Sequence, residues 1–95
     1  MVLSKEILTY CESRKLRCTA KRLMLADFLQ EANGQADAEV LHMMFRNNSI
    51  RISPASVYQI LDWMVKIGFV ERVPGNDRRN IYCIKKNIIS NYSHS

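Results

Sequence analysis

Arginine and lysine side chains, which can bind the phosphates of a nucleic acid, are concentrated in two parts of this 95-residue chain. Five of the fourteen basic residues form the first group, which no acidic residue interrupts: Arg14, Lys15, Arg17, Lys21 and Arg22. Five more lie between Arg72 and Lys86, where Asp77 is the only acid and Arg78 and Arg79 follow a predicted turn. The formal net charge of +5 favours an anionic partner, with nucleic acid ahead of a membrane surface.

Metal-binding and catalytic patterns are weak in this sequence. The histidines are His42 and His94, and the cysteines Cys11, Cys18 and Cys83 form no close pair, whereas structural zinc sites use four ligands in close pairs. The chain carries no Gly-rich phosphate loop, nucleophile–base pair or carboxylate dyad that would indicate an enzyme. We therefore expect no metal, no cofactor and no enzymatic activity, and we expect all three cysteines to be free thiols in a reducing compartment.

The segment from Ile52 to Phe69 predicts a helix over about residues 54–67 with both of its ends encoded. Ser53 is a residue type that caps helix N-termini, and Pro54 suits the first helical position because no amide hydrogen is needed there. Gly68 suits the left-handed conformation that ends many helices. Apolar residues recur at helical spacing along one side of the segment: Val57, Leu61 and Met64.

The outward side of this predicted helix is small and polar near its start, where Ala55, Ser56 and Gln59 lie beside Tyr58. Short side chains let a helix backbone approach the floor of a DNA major groove, and polar side chains supply donors and acceptors for base edges. An ordinary amphipathic core helix would show the same apolar stripe, so this segment alone leaves both interpretations open.

Three helices are predicted before this one, each following a residue that can cap it: about residues 5–14 after Ser4, 20–32 after Thr19, and 38–47 after Asp37. The alternation in Ile50-Arg51-Ile52 predicts a very short strand. Strands over 69–73 and 79–84 flank the turn signal Pro74–Asp77 and form a predicted hairpin. The fold is thus predicted to be mainly α with a small β wing, a winged helix-turn-helix with residues 54–67 as the recognition helix.

The length of the chain allows one small core, and we expect one domain over residues 1–86 followed by a polar, flexible tail over 87–95. The start is too polar for a signal peptide, and no apolar run reaches the length that spans a membrane. We therefore expect a cytoplasmic protein without a membrane partner.

Four segments carry a family resemblance through their order and spacing: Arg17-Cys-Thr-Ala-Lys-Arg-Leu23, Gln35-Ala-Asp-Ala-Glu-Val-Leu41, Ile52-Ser-Pro-Ala-Ser-Val-Tyr-Gln-Ile-Leu61, and Gly68-Phe-Val70. Over about residues 5–84 the chain resembles the DNA-binding domain of the ferric uptake regulator (Fur) family. Thr19 to Arg22 matches the family's Thr-x-x-Arg, and Ser53 to Gln59 resembles its Ser-x-Ala-Thr-Val-Tyr-Arg recognition helix. The resemblance implies a winged-helix transcription regulator that binds double-stranded DNA.

The resemblance also implies roles for individual residues. Arg17 matches a basic residue that enters an A·T-rich minor groove, where a narrow groove concentrates negative potential. Tyr58 matches a tyrosine that packs on thymine methyl groups. The whole set that we predict to contact DNA lies at the start of the second helix, on and just before the recognition helix, and at the tip of the wing: Arg17, Thr19, Lys21, Arg22, Arg51, Ser53, Ala55, Ser56, Tyr58, Gln59, Arg78 and Arg79.

The sequence departs from the family pattern in three respects. Gln59 replaces a family arginine, and because arginine suits guanine whereas glutamine suits adenine, we expect a different base preference. Gln35 stands where many members have a zinc-ligating histidine. The family's second half, which carries its dimerisation sheet and metal sites, has no counterpart here, so metal sensing does not follow from the resemblance.

Other functions stay open. A winged helix can serve as a protein-interaction or accessory module without sequence-specific DNA binding, and the weakly charged outer face of the recognition helix fits that alternative. Helical spacing places Trp63 outward, where it could pack on the first helix or the tail, support a homodimer on DNA, or contact a protein partner. The chain could also be a fragment of a longer metalloregulator.

Overall fold

A computed structural model of the protein describes residues 2–75 and 79–85. The structure contains four helices and three short strands, in the order α1 (Leu3–Ser13), α2 (Ala20–Glu31), β1 (Gln35–Ala36), α3 (Ala38–Asn47), α4 (Pro54–Lys66), β2 (Val70–Pro74) and β3 (Asn80–Ile84). The strands form one antiparallel sheet with the order β1-β3-β2. This is the predicted winged helix, with β2 and β3 forming the wing.

Side-chain caps begin three of the four helices at the predicted residues. Thr19, Asp37 and Ser53 each accept a hydrogen bond from the amide of the residue three positions later. Each of these bonds satisfies an amide that has no partner within the helix. These local signals explain why the starts of α2, α3 and α4 were predicted correctly.

The start of α1 was predicted wrongly. The helix begins at Leu3, with Val2 as its N-cap residue and no side-chain cap, so Ser4 lies inside the first turn. The amide of Leu3 instead donates a hydrogen bond of 2.7 Å to Oε1 of Gln30 on α2. A tertiary contact therefore replaces the local cap, and the earlier start lets Leu3 become fully buried.

Each helix ends at a residue in the left-handed conformation: Lys15, Asn33, Ser49 and Gly68, with φ of +56°, +63°, +59° and +89°. In each case the next amide reaches back to a carbonyl five positions earlier, as Phe69 does to Met64 at 3.1 Å. Glycine adopts this conformation without steric cost, and asparagine tolerates it. A lysine does so only with strain, and Lys15 lies within the first basic group.

The short strand predicted at Ile50-Arg51-Ile52 is absent from that position. Ile50 follows the left-handed Ser49, and its amide bonds to the carbonyl of Phe45 at 2.9 Å, which is part of the end of α3. The apolar–polar alternation has another cause than a strand: Ile52 is buried and Ile50 is half-buried, although both lie in an irregular segment. The third strand is β1, whose Gln35 and Ala36 pair with Cys83 and Tyr82 of β3.

The core lies between the helices and the inner face of the sheet. Phe28 of α2 and Phe45 of α3 pack edge to face with their ring centroids 4.9 Å apart. Side chains that are almost fully buried come from every helix and from the sheet: Ile7, Leu25, Leu29, Leu41, Leu61, Met64, Val70 and Tyr82. Because α4 buries one side against this core, its opposite side is available to solvent. No helix among the described residues is long and apolar enough to cross a membrane.

Candidate nucleic-acid interface

The outward side of α4 presents small and polar side chains at its N-terminal half. Ser53, Ala55 and Gln59 are exposed, and Tyr58 retains 51% of its accessible surface. The Ser53 hydroxyl accepts the Ser56 amide at 3.1 Å and donates to the Ser56 hydroxyl at 2.9 Å, so both serines are oriented by the cap itself. This side therefore offers hydroxyls, one carboxamide and one aromatic ring to a partner.

Three residues of the first basic group, Arg14, Lys15 and Arg17, lie on the segment from residue 14 to residue 19, which we call the Arg17 loop, and the other two, Lys21 and Arg22, lie in the first turn of α2. The left-handed Lys15 turns the chain away from α1, and the amide of Leu16 bonds to the carbonyl of Cys11 at 2.8 Å. Arg17 itself is exposed. Within the part of the chain that the structure describes, none of the basic side chains of this loop forms an ion pair, so their charge is uncompensated.

Arg22 is held against α4 instead of extending into solvent. Its guanidinium carbon lies 3.9 Å from the centroid of the Trp63 ring, and its Nη1 donates to the carbonyl of Arg17 at 3.4 Å. Trp63 is half-buried, and its ring also meets Tyr10 of α1 edge to face at 6.4 Å. The predicted packing of Trp63 on the first helix is confirmed, and the tail, the other predicted contact within the chain, lies outside the described residues.

Two arginines in the described part of the wing are paired with acids. Arg72 on β2 donates to Asp62 of α4 at 2.9 Å. Nη1 of Arg79 lies 3.0 Å from a carboxylate oxygen of Glu39 and 3.6 Å from one of Asp37, both at the start of α3. These pairs reduce the positive charge that the wing offers to a phosphate. Arg78, the other predicted wing contact, lies outside the described residues.

One side chain from each basic region contacts α4, at two consecutive positions of the helix. Consecutive residues of a helix point about 100° apart, so Asp62 and Trp63 face different edges. Asp62 holds Arg72 of the wing, and Trp63 holds Arg22 next to the Arg17 loop. The structure therefore brings an arginine from each basic group, Arg22 and Arg72, against α4 near its C-terminal end.

The remaining predicted contacts lie at the starts of α2 and α4. Lys21 and Arg51 are exposed. The hydroxyl of Thr19 accepts the amide of Arg22 at 3.3 Å, so the first turn of α2 still has amides without helical partners and carries the positive end of the helix dipole. Nε2 of His42 lies 3.0 Å from the carbonyl of Ile52, which ties α3 to the segment before α4.

The profile of the Ferric uptake regulator family matches residues 13–94 of this chain. The chain belongs to the ferric uptake regulator (Fur) family. Comparison with curated protein sequences finds no match.

Solved structures of Fur-family regulators show the same fold. The peroxide sensor PerR from Streptococcus pyogenes superposes with a TM-score of 0.77 at 21% identity, over 88% of this chain and 58% of that chain. Fur from Vibrio cholerae gives 0.72 at 22% identity, over 82% and 60%. A zinc uptake regulator solved with zinc and DNA gives 0.75 at 26% identity, over 88% and 54%. The chain thus spans between 54% and 60% of the length of these relatives.

The thiols of this Fur-family chain are free among the described residues. Burial, with a hydrogen bond from the protonated Cys18 thiol to Cys11, raises the pKa of Cys18 to about 11, against a smaller opposing effect of Arg22. Burial also raises the pKa of Cys83. Both shifts favour the protonated thiol over the thiolate. No group of three or more potential metal ligands lies close together in residues 2–75 and 79–85.

Sequence analysis did not identify the residues on other helices that contact the basic side chains. Asp37 was recognised as a helix cap but not as a partner of Arg79, and Glu39 and Asp62 were not recognised at all. No signal in the sequence could identify these pairs, because each joins residues ten or more positions apart. The Arg22–Trp63 stack was missed for the same reason.

Proposed function

We propose that this Fur-family chain is a cytoplasmic, sequence-specific transcription regulator that inserts α4 into the major groove of double-stranded DNA. The observation that carries the proposal is the exposed, small and polar N-terminal half of α4, on a helix that also contacts Arg22 next to the uncompensated charge of the Arg17 loop. Membership of a regulator family and the likeness to a zinc uptake regulator solved with DNA support it. In this arrangement the phosphate contacts supply affinity, and the contacts of α4 with base edges supply sequence choice.

Base selection would come from three side chains of α4. The Gln59 carboxamide can form the bidentate pair with adenine, Tyr58 can pack on a thymine methyl group, and the oriented hydroxyl of Ser56 can meet either a base or the backbone. All three lie on or at the edge of the outward side of α4. Replacing Gln59 with arginine should therefore shift the preference at one position from adenine towards guanine.

Affinity would come from contacts with the backbone on both sides of α4. Lys21, Arg51 and the free amides after Thr19 would bind phosphates, and Arg78 and Arg79 would do so from the wing. Arg17 would enter a flanking minor groove, preferably an A·T-rich one because a narrow groove has the stronger negative potential. A second copy of the chain on DNA would double these contacts and give a palindromic site.

Fluorescence anisotropy across a salt series, followed by sequencing of the bound fraction from a randomised duplex pool, tests the proposal. Binding that weakens steeply with salt and enriches one motif would support it, and a palindromic motif would indicate two copies. Gln59→Arg should retain affinity while changing one base of the motif. Binding without enrichment would reduce the protein to a non-specific DNA binder.

The alternative is a winged helix that binds another protein. The ion pairs of Arg72 and Arg79 favour it, because they neutralise much of the charge that a wing would bring to DNA. Trp63 is partly covered by Arg22 and Tyr10, so a partner at this edge would meet the guanidinium as well as the indole ring. No binding of the parent to DNA at low salt, together with unchanged behaviour of Arg17→Ala, would favour this alternative.

A further inference from the structure

The Arg17 loop is attached to α4 through one stacked pair. Trp63 projects from α4, the Arg22 guanidinium lies 3.9 Å from its ring centroid, and Arg22 Nη1 donates to the carbonyl of Arg17 at 3.4 Å. The backbone of Arg22 also donates to Thr19, at the end of the loop. A continuous chain of contacts thus joins the recognition helix to the backbone of the residue predicted to enter the minor groove.

The other end of the loop is attached to the same aromatic cluster, formed by Tyr10, Trp63 and Phe69. Tyr10 meets Trp63 at 6.4 Å and Phe69 at 5.7 Å, in both cases edge to face. The guanidinium of Arg14 lies 4.4 Å from the Tyr10 centroid. The aromatic cluster therefore holds arginines on both sides of Arg17, while Arg17 itself stays exposed.

An arginine stacked on an aromatic ring keeps an uncompensated positive charge, whereas a carboxylate compensates the charge of an arginine paired with it. The face of an indole ring attracts a guanidinium through the quadrupole of the ring, so the arginine is oriented while its positive charge remains. Arg22 is half-buried and has both its stacking face and one of its donors occupied within the protein. It is therefore better suited to hold the loop than to reach for a phosphate of its own.

We propose that Arg22 and Trp63 are positioning residues that set the distance between the bases contacted by α4 and the minor groove contacted by Arg17. This inference rests on the proposed DNA-binding function. Major- and minor-groove contacts on one duplex must match its geometry, so an untethered loop would have to be ordered at the moment of binding, which costs affinity. Without the stack of Arg22 on Trp63, α4 would still contact its bases, but Arg17 would no longer be held at a fixed position relative to α4.

A double-mutant cycle on DNA tests the proposal, because it measures whether two residues act through each other. We expect Arg17→Ala to weaken binding to an A·T-flanked site by about tenfold in the parent but by only about two- to threefold in a Trp63→Leu background. Leucine keeps apolar volume at this half-buried position and removes the ring that Arg22 stacks on. Thermal unfolding by circular dichroism checks that each variant is folded.

Two further variants serve as matched controls. Trp63→Phe keeps an aromatic face and should restore most of the dependence on Arg17. Asp62→Asn removes the Arg72 ion pair from the neighbouring position of α4 and should leave that dependence at its parental value. Sequencing of the bound fraction gives a second result: Trp63→Leu should lose the A·T preference at the flanks and keep the central bases chosen by α4.

Trp63 is the only tryptophan of the chain, so its fluorescence follows the stack directly. Acrylamide should quench it more strongly in Arg22→Lys than in the parent, because lysine lacks the planar group that covers the ring. DNA should not increase quenching in the parent if Arg22 stays on Trp63. An increase on binding would show that Arg22 leaves the ring for a phosphate and would overturn the proposal.

The outcomes separate this proposal from the proposed function. If the parent binds DNA and the effects of Arg17→Ala and Trp63→Leu simply add, the positioning role is wrong and the regulator function stands. If Arg22→Lys keeps parental affinity and flank preference, Arg22 acts as a point charge and the positioning role is again wrong. If the parent does not bind DNA at all, both proposals are overturned.

Discussion

The two basic groups of the sequence contain five residues each, yet the structure gives their arginines different partners. The arginines on either side of Arg17 stack on rings, Arg14 on Tyr10 and Arg22 on Trp63. Those of the described wing pair with carboxylates, Arg72 with Asp62 and Arg79 with Glu39 and Asp37. A ring orients an arginine and leaves its charge, whereas a carboxylate orients it and cancels its charge. Counting basic residues therefore overestimates what the wing offers to an anion.

How far the carboxylates cancel the charge of the wing depends on the strength of these ion pairs. The Arg72 and Asp62 side chains are 44% and 60% exposed, and an exposed ion pair contributes only about 0–1 kcal/mol. Phosphates could therefore displace these carboxylates from the arginines of the wing. Breaking such an ion pair costs a small free energy, which the unpaired basic side chains of the Arg17 loop do not lose on binding. We accordingly expect the loop to dominate affinity and the wing to adjust it.

The largest expected effect comes from removing one arginine from each region. Arg17→Ala should weaken binding to an A·T-flanked duplex by about tenfold or more and lower the salt slope by about one, because it removes an uncompensated charge from a groove contact. Arg79→Ala should cost clearly less, because its charge is already shared with Asp37 and Glu39. Lys66→Ala, at the far end of α4, controls for net charge. Anisotropy titrations that showed equal losses for both arginines would contradict the comparison.

Removing a carboxylate partner should leave an arginine of the wing with an uncompensated charge, as in the Arg17 loop. Glu39→Gln frees Arg79 from its 3.0 Å pair and should strengthen DNA binding by about two- to fivefold, in line with the energy of an exposed ion pair. Glu31→Gln makes the same charge change at the far end of α2 and should have a smaller effect. Titrations at low and high salt would distinguish them, since the gain should shrink as salt rises. A decrease in affinity would show that the pair holds Arg79 in a productive position.

The loop also carries backbone strain at Lys15, whose φ is +56°. Lys15→Gly should raise the free energy of unfolding by about 0.5–1 kcal/mol, because glycine adopts this conformation without a clash. Lys15→Ala removes the same charge and keeps the strain, so it should not stabilise the protein. Urea unfolding followed by circular dichroism measures both. A glycine variant no more stable than the alanine variant would show that this position is unstrained.

The smallest expected effect concerns the thiols, which respond to the charges near them. The pKa of Cys18 is about 11, so iodoacetamide at pH 8 should modify it slowly, and faster as the pH rises towards 11. Glu71 contributes to the raised pKa of Cys83, so Glu71→Gln should speed its alkylation by less than about threefold. Mass spectrometry of both cysteines in one sample provides the control, because Cys18 should be unaffected. A change at Cys18 instead would indicate a general loosening of the fold.

Most of the fold followed from short-range signals. The caps Thr19, Asp37 and Ser53 and the stop at Gly68 each act within one helical turn, so their chemistry is visible in neighbouring residues. The hairpin followed from two apolar runs around a turn signal, although both strands start one residue later than predicted. The order of these elements was enough to indicate a winged helix.

The candidate site was predictable only in part. The exposed face of α4 and the exposure of Arg17 followed from helical spacing and from charge. The role of Arg22 did not, because its partner Trp63 lies on another helix, and an outward tryptophan can meet solvent, a partner or a neighbouring element equally well. Whether Arg79 is a free charge also depends on acids that stand far from it in the chain.

The sequence by itself determined where three helices start and which side of α4 is polar, because both depend on neighbours within a few positions. It also showed that the basic residues form two groups along the chain. The tertiary structure alone decided that α1 starts at Leu3, that β1 rather than residues 50–52 joins the sheet, and which arginines keep their charge. Each of those outcomes depends on a partner brought close by packing: Gln30 for the first amide, β3 for the strand, and a ring or a carboxylate for each arginine. Hydrogen bonds and charge pairs act over a few ångströms of space, and only the folded chain defines which residues are that close.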